Sequence, residues 1–147
     1  MEQIMIDILN NRCMWVPFFL WLAIQLFKFF YEWIVNKRID FHRLFGAGGM
    51  PSAHSAVVCS LAALVGKEIG YGSPEFAMAV ILALIVMYDA CGVRRAAGKQ
   101  ASILNKLITT PGLSNIEVQE KLTEALGHSP TQVFVGALLG ILIGTFI

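Results

Sequence analysis

Gly48-Gly49-Met50-Pro51-Ser52-Ala53-His54-Ser55 is the stretch on which the fold turns. It joins a basic, glycine-ending loop, residues 36–49, to an apolar run from Ser52 to about Gly66. Glycines and proline mark the turn, and Ser52 stands where a helix N-cap belongs. A histidine and two hydroxyls therefore sit at the mouth of an apolar helix. Two further polar clusters occupy comparable places. Asp89-Ala90-Cys91-Gly92-Val93-Arg94-Arg95 closes one apolar run, and Leu126-Gly127-His128-Ser129-Pro130-Thr131-Gln132 opens another.

The composition says what surrounds these clusters. Of 147 residues, 56% are hydrophobic and 14% charged, with a mean hydropathy of +0.67. A soluble domain this small needs more polar surface to cover itself. The net charge of +1 offers no case for a nucleic-acid partner. Cys13, Cys59 and Cys91 are odd in number and lack CxxC spacing, so they read as small apolar fillers, not a disulfide framework or a zinc site. The first twelve residues carry Glu2 and Asp7 where a signal peptide would be basic, so no removable leader is expected.

Four runs have the character of membrane helices. Cys13–Val35 is long enough to cross a hydrocarbon core of about 30 Å, with Trp15, Trp21, Tyr31 and Trp33 as interface anchors. Only Lys28 and Glu32 interrupt it. Spaced i,i+4, they either neutralise each other or leave Lys28 to reach an anion. The run from Ser52 is short, so Lys67 snorkels or the His54 end is sunk below the headgroups. Ser73-Pro74-Glu75 is a helix start that opens the charge-free run Phe76–Tyr88. Ser129-Pro130 opens the last, to Ile147, in which Gly136, Gly140 and Gly144 form a small-residue stripe for close packing within this chain or against a second copy.

Between the third and fourth runs, Val93–Ile108 reads as an amphipathic helix at headgroup level. Its apolar face is Val93, Ala96, Ala97, Ala101, Leu104, Leu107 and Ile108. Pro111-Gly112 breaks it, and Ser114-x-x-Glu117 is a capping box for a short polar helix to Leu126. The fold class expected is all-α: one integral-membrane domain over residues 1–147, with about four transmembrane helices and one or two amphipathic interfacial helices. Four crossings put all three polar clusters on one side. The basic residues there, including Lys37, Arg38, Arg43, Arg94, Arg95 and Lys99, assign that side to the cytoplasm. The cell membrane is the expected location.

The convergence suggests phosphate chemistry. A phosphomonoester needs cations for its oxygens, a nucleophile, and an acid for the leaving group. Arg94 and Arg95 can clamp oxygens bidentately, and Ser52 with the following helix start offers further donors. His54 and His128 can act as nucleophile or proton donor near neutral pH. Gln132, Asp89 or Glu124 can fix the nucleophile's tautomer. His42 lacks such company and is left as a loop residue. His54, His128 and Asp89 contain no close-spaced ligand pair, so no metal or other cofactor is expected.

Pro51-Ser52-Ala53-His54 resembles the PSGH motif of the type-2 phosphatidic acid phosphatase and vanadium haloperoxidase superfamily. His128 through Gly136 is similar to that superfamily's closing motif, in which aspartate follows the histidine four residues on. Together with Gln25, Lys28 and the Asp89–Arg95 cluster, the chain from about residue 13 to its end resembles the short divergent branch of that superfamily. The resemblance implies that His128 attacks phosphorus, His54 protonates the departing alkoxide, Arg94 or Arg95 takes the closing motif's arginine role, and Ser52 holds an oxygen. Lys28 and Arg43, with Lys37 in reserve, stand in for an opening Lys-x6-Arg-Pro motif that is absent as written. Ala53 replaces the PSGH glycine and Gln132 the aspartate. The function expected is hydrolysis of a lipid phosphate in the membrane, with membrane lipids and a second copy of the chain as partners. The competing expectation is a phospholipid-binding or transport protein that has kept the pocket without the chemistry.

Overall fold

The structure, a computed structural model, describes residues 1–37, 49–109, 122 and 127–147. Six helices make up its regular structure: α1 (Glu2–Asn10), α2 (Arg12–Asn36), α3 (Ala53–Glu68), α4 (Pro74–Cys91), α5 (Val93–Thr109) and α6 (Pro130–Phe146). The all-helical expectation holds among the described residues. Helix α1 was not foreseen; the indole of Trp15 ties it to α2 by donating to the Ile8 carbonyl at 2.9 Å. Arg43, His42 and the short helix expected after Ser114 lie outside the described residues, as does Glu124.

The helix starts follow the sequence signals. Ser52, Ser73 and Ser129 each accept from the backbone amide three residues on, capping α3, α4 and α6. Proline occupies the first turn of the latter two, where its missing N–H costs nothing.

Helix α3 is central, packing on α6 most extensively and on α2 and α4 next. The α3–α6 seam explains the glycine stripe. A Cβ on Gly136, Gly140 or Gly144 would run into the carbonyl oxygens of Ser52, Ala56 and Ser60 respectively. Two helices with small residues every fourth position thus lie backbone against backbone. The stripe is used within this chain, so it gives no support to a second copy. Elsewhere around α3, Leu20 and Ile24 of α2 pack with Ala53 and Ala56, and Ala79 and Ala83 of α4 fit against Val65 and Val58.

Contacts at the two ends fix the helix directions. At one end, Arg12 of α2 pairs with Glu68 of α3 at 3.9 Å, and Lys67 donates to the Thr145 carbonyl of α6. At the other, the amide of Ser52 donates to the Gln132 carbonyl, and that of His128 to the Ala90 carbonyl. The packed helices α2, α3, α4 and α6 therefore alternate in direction. The end of α4 and the starts of α3 and α6 share one end, as the sequence reading required.

The stretches Arg12–Val35 and Pro74–Ile108 are long and apolar enough to cross a membrane. Helices α3 and α6, with 16 and 17 residues, are shorter. The outward faces of α2 and α4 carry exposed apolar residues in rows, among them Phe19, Leu26, Phe27, Ile81 and Ile85. Helix α5 differs in detail from its predicted face. It buries Gly98, Ala101 and Asn105, leaving Val93, Leu104 and Leu107 exposed.

Candidate active site

His54 sits in the first turn of α3, fixed by the Ser52 cap. His128 reaches the same place from the lead-in to α6. Gly127, in the left-handed region at φ +85°, presses on the backbone of Arg95, where a Cβ would overlap it. The His128 amide then bonds to Ala90 at 2.9 Å. Seventy-four residues apart in the chain (128 minus 54), the two imidazoles meet edge to face with centroids 6.0 Å apart.

The two rings differ in setting. His54 is exposed, whereas His128 is 3% exposed. The Nε2 of His128 is buried with no hydrogen-bond partner among the described residues. Burial first, then the positive charge of Lys28, the neighbouring His54 and the Arg94 guanidinium, lower the His128 pKa from 6.5 to about 4. The ring is therefore neutral at physiological pH. A buried, unsatisfied imidazole nitrogen calls for an explanation.

The cations come from two other elements. Arg94, in the first turn of α5, bonds through Nε to Asp89 at the end of α4. Lys28 is half-buried in α2, its stem passing Gly49, where a Cβ would stand 3.7 Å from the lysine Cδ. The charges of Lys28 and Arg94 act on both histidines, and that of Asp89 on His54. Four segments distant in sequence thus supply two imidazoles, a guanidinium and an ammonium to one place. Arg94 is the arginine whose charge reaches both rings. Arg95 contributes its backbone, as the surface under Gly127.

Three predicted site residues are engaged otherwise than the sequence suggested. Ser52 is fully buried; its hydroxyl accepts from the Ser55 amide at 3.4 Å and the Ser55 hydroxyl at 3.0 Å, so it serves the helix start. Gln132 turns its amide oxygen to the Ser129 amide at 2.9 Å, completing a capping box instead of orienting His128. Asp89 accepts from Arg94 instead of from a histidine ring. Lys28 lies beside Gly49, and its charge acts on both rings.

One supporting residue escaped the sequence reading. Asn105, 4% exposed, donates to the Leu122 carbonyl at 2.8 Å and accepts from the Leu122 amide at 3.0 Å. This two-bond clamp holds the backbone of Leu122, six residues before His128 in the chain, against α5. The signal was a lone amide in the Ala101–Asn105–Ile108 stripe of an otherwise amphipathic helix. Among the described residues no group of three or more His, Cys, Asp or Glu could hold a metal ion.

A sequence profile described as the Divergent PAP2 family matches residues 9–143. The chain belongs to that family. A relative from Bacillus subtilis (strain 168), named as an uncharacterized membrane protein, YuiD, is 42% identical over 130 residues, covering 81% of this chain and 82% of its own. No solved structure matches the chain significantly. Membership of the Divergent PAP2 family agrees with the resemblance found in Pro51–His54 and His128–Gly136. The match spans all four segments that meet at the site.

Proposed function

We propose that this Divergent PAP2 family member is an integral-membrane lipid phosphate phosphatase working through a phosphohistidine on His128. The observation that carries this reading is the 6.0 Å approach of His54 and His128 with Arg94 and Lys28 acting on both. Lys28 and Arg94 draw the phosphate oxygens in and offset the charge that gathers on them in the transition state. Neutral His128 has a free lone pair and attacks phosphorus. The P–O ester bond breaks, and His54 in its protonated form gives its proton to the departing alkoxide. Water then attacks the phosphohistidine; His54, now neutral, takes the water's proton, and inorganic phosphate leaves. The N–P bond breaks and both rings return to their starting states.

The rows of exposed apolar residues on α2 and α4 support a membrane setting, since a soluble monomer rarely exposes contiguous apolar faces of that size. In this reading α2, α3, α4 and α6 are four spans and α5 lies along the headgroups. Lys37, Arg94, Arg95, Lys99 and Lys106 favour a cytoplasmic site in the cell membrane. A site at headgroup depth suits an amphiphilic phosphate better than a soluble one.

One observation favours a second reading. The Gln132 side chain caps Ser129, and the position carries no negative charge to stabilise a His128 imidazolium. A phospholipid-binding or transport protein would keep the cations and do without that charge. Phosphate release from alkyl phosphates or phosphatidate, measured for the wild type, His128→Ala and His54→Ala, separates the two. The phosphatase reading expects release that both substitutions reduce at least about a hundredfold. Binding without release, unchanged by either substitution, selects the second.

A further inference from the structure

We propose that the groove between α4 and α6 holds the hydrocarbon chain of the lipid whose phosphate lies between His54 and His128; this rests on the lipid-phosphate reading above. Helices α4 and α6 both lie against α3 but barely touch each other. The cleft left between them has a volume of about 340 Å³. Its floor is Cys59, Ala62 and Ala63 of α3, small side chains that leave the space open.

The groove and the site share their helices. Met87, at the near end, is two residues before Asp89, which holds Arg94, and its sulfur lies 3.8 Å from that of Cys59. Cys59 in turn is five residues after His54, about 7.5 Å along the helix axis. At the far end the rings of Tyr71 and Phe76 meet edge to face, 5.2 Å apart, and press on Gly66. From Met87 to Phe76 is eleven helical residues, about 16 Å. A trough thus starts a turn or two from the histidines and leads away from them.

Its chemistry and size select the occupant. The lining holds no charged side chain, and its walls are carbon and sulfur with polar atoms chiefly at the far end, in Tyr71 and Thr145. A headgroup would find no partner there, whereas a hydrocarbon chain would exchange one apolar setting for another that is shaped to it. A helix from a second copy, about 10 Å across, would need more than about 1,000 Å³ over that length. One alkyl chain fits where a helix does not.

The test uses the full-length protein in phospholipid vesicles with hexadecyl phosphate and ethyl phosphate, which share a headgroup and differ in the chain. Leu84→Trp crowds the groove from its exposed wall. It should cut kcat/KM for hexadecyl phosphate about tenfold and leave that for ethyl phosphate within about twofold. Equal losses on both, or none on hexadecyl phosphate, overturn the groove. A second arm needs no turnover. Hexadecyl phosphate with a diazirine near the chain end should label Phe76, Val80 and Leu84 on photolysis, competed by unlabelled hexadecyl phosphate but not by hexadecanol. Labelling spread over all exposed apolar faces, or indifferent to competitor, overturns the inference even if phosphate is released. Competed labelling in the groove by a protein that hydrolyses neither ester upholds the chain site while the phosphatase reading falls.

Discussion

The amide of His128 donates to the carbonyl of Ala90 at 2.9 Å, tying the lead-in of α6 to the last turn of α4. Because Asp89 and Arg94 flank that turn, one backbone bond sets the buried imidazole relative to the guanidinium. Gly127 makes the bond reachable by taking a left-handed conformation against Arg95. Gly127→Ala meets both a strained φ and a steric overlap. Phosphate release should fall about tenfold to a hundredfold, since displacement of a reacting group by an ångström costs that much. Unchanged kcat in a folded Gly127→Ala protein would show that this approach does not set the site.

The two arginines should separate cleanly. Arg94→Lys keeps the charge but loses the planar fork and its bond to Asp89, so phosphate release should fall at least about tenfold. Arg95→Ala keeps the backbone on which Gly127 rests and should change release by less than about threefold. Steady-state kinetics on both variants decide it; the opposite ranking would move the anion clamp to Arg95.

His128 also gives a pH dependence with a definite direction. Its folded pKa, about 4, lies below the ordinary value of 6.5, so the unfolded chain binds the extra proton first. The folded state is therefore unaffected above pH 6.5 and loses stability as pH falls from 6.5 to 4. The loss approaches about 3 kcal/mol at the lower limit. Thermal unfolding in detergent at pH 4.5 and 7.5 should show this loss in the wild type and a smaller one in His128→Ala. Equal losses in both would remove His128 as its source. In the phosphohistidine reading proposed above, the same direction keeps His128 unprotonated, so the acid limb of kcat/KM attributable to it should lie near pH 4, not 6.5.

The α3–α6 seam gives a stability test independent of chemistry. Gly140→Ala puts a methyl into the carbonyl of Ala56, between two backbones that cannot both stay in place. It should destabilise by about 1–3 kcal/mol, read as a lower Tm in detergent. An unchanged Tm would mean that the helices are not in direct backbone contact there.

Asn105→Ala removes both bonds to Leu122. Because Leu122 lies six residues before His128 in the chain, kcat should drop about tenfold while KM for hexadecyl phosphate changes little. A change confined to Tm would reduce Asn105 to a purely structural role.

Much of this arrangement was legible in the chain. Serine caps and first-turn prolines marked helix starts, because an unsatisfied helix N-terminus needs an acceptor and tolerates proline whatever surrounds it. The parity of apolar runs was enough to bring His54, Asp89, Arg94 and His128 to one end. What the sequence left open depends on distances between segments. Ser52 and Gln132 can each cap a helix or face a ligand; only the finished backbone shows that both cap. The glycine stripe announces a close neighbour without naming it, and α3 answers through Ser52, Ala56 and Ser60. Asn105 looked like one more polar residue on an amphipathic helix because its partner, the Leu122 backbone, has no side-chain signature.

The most direct measurement is to incubate the protein in vesicles with hexadecyl phosphate labelled at phosphorus, quench in alkali, where phosphohistidine survives, and map the label. The label should appear on the His128 peptide of the wild type, be absent from His128→Ala, and form far more slowly in His54→Ala. Label on another residue, or phosphate release that continues in His128→Ala at the wild-type rate, would contradict a phosphorus shared by these two imidazoles.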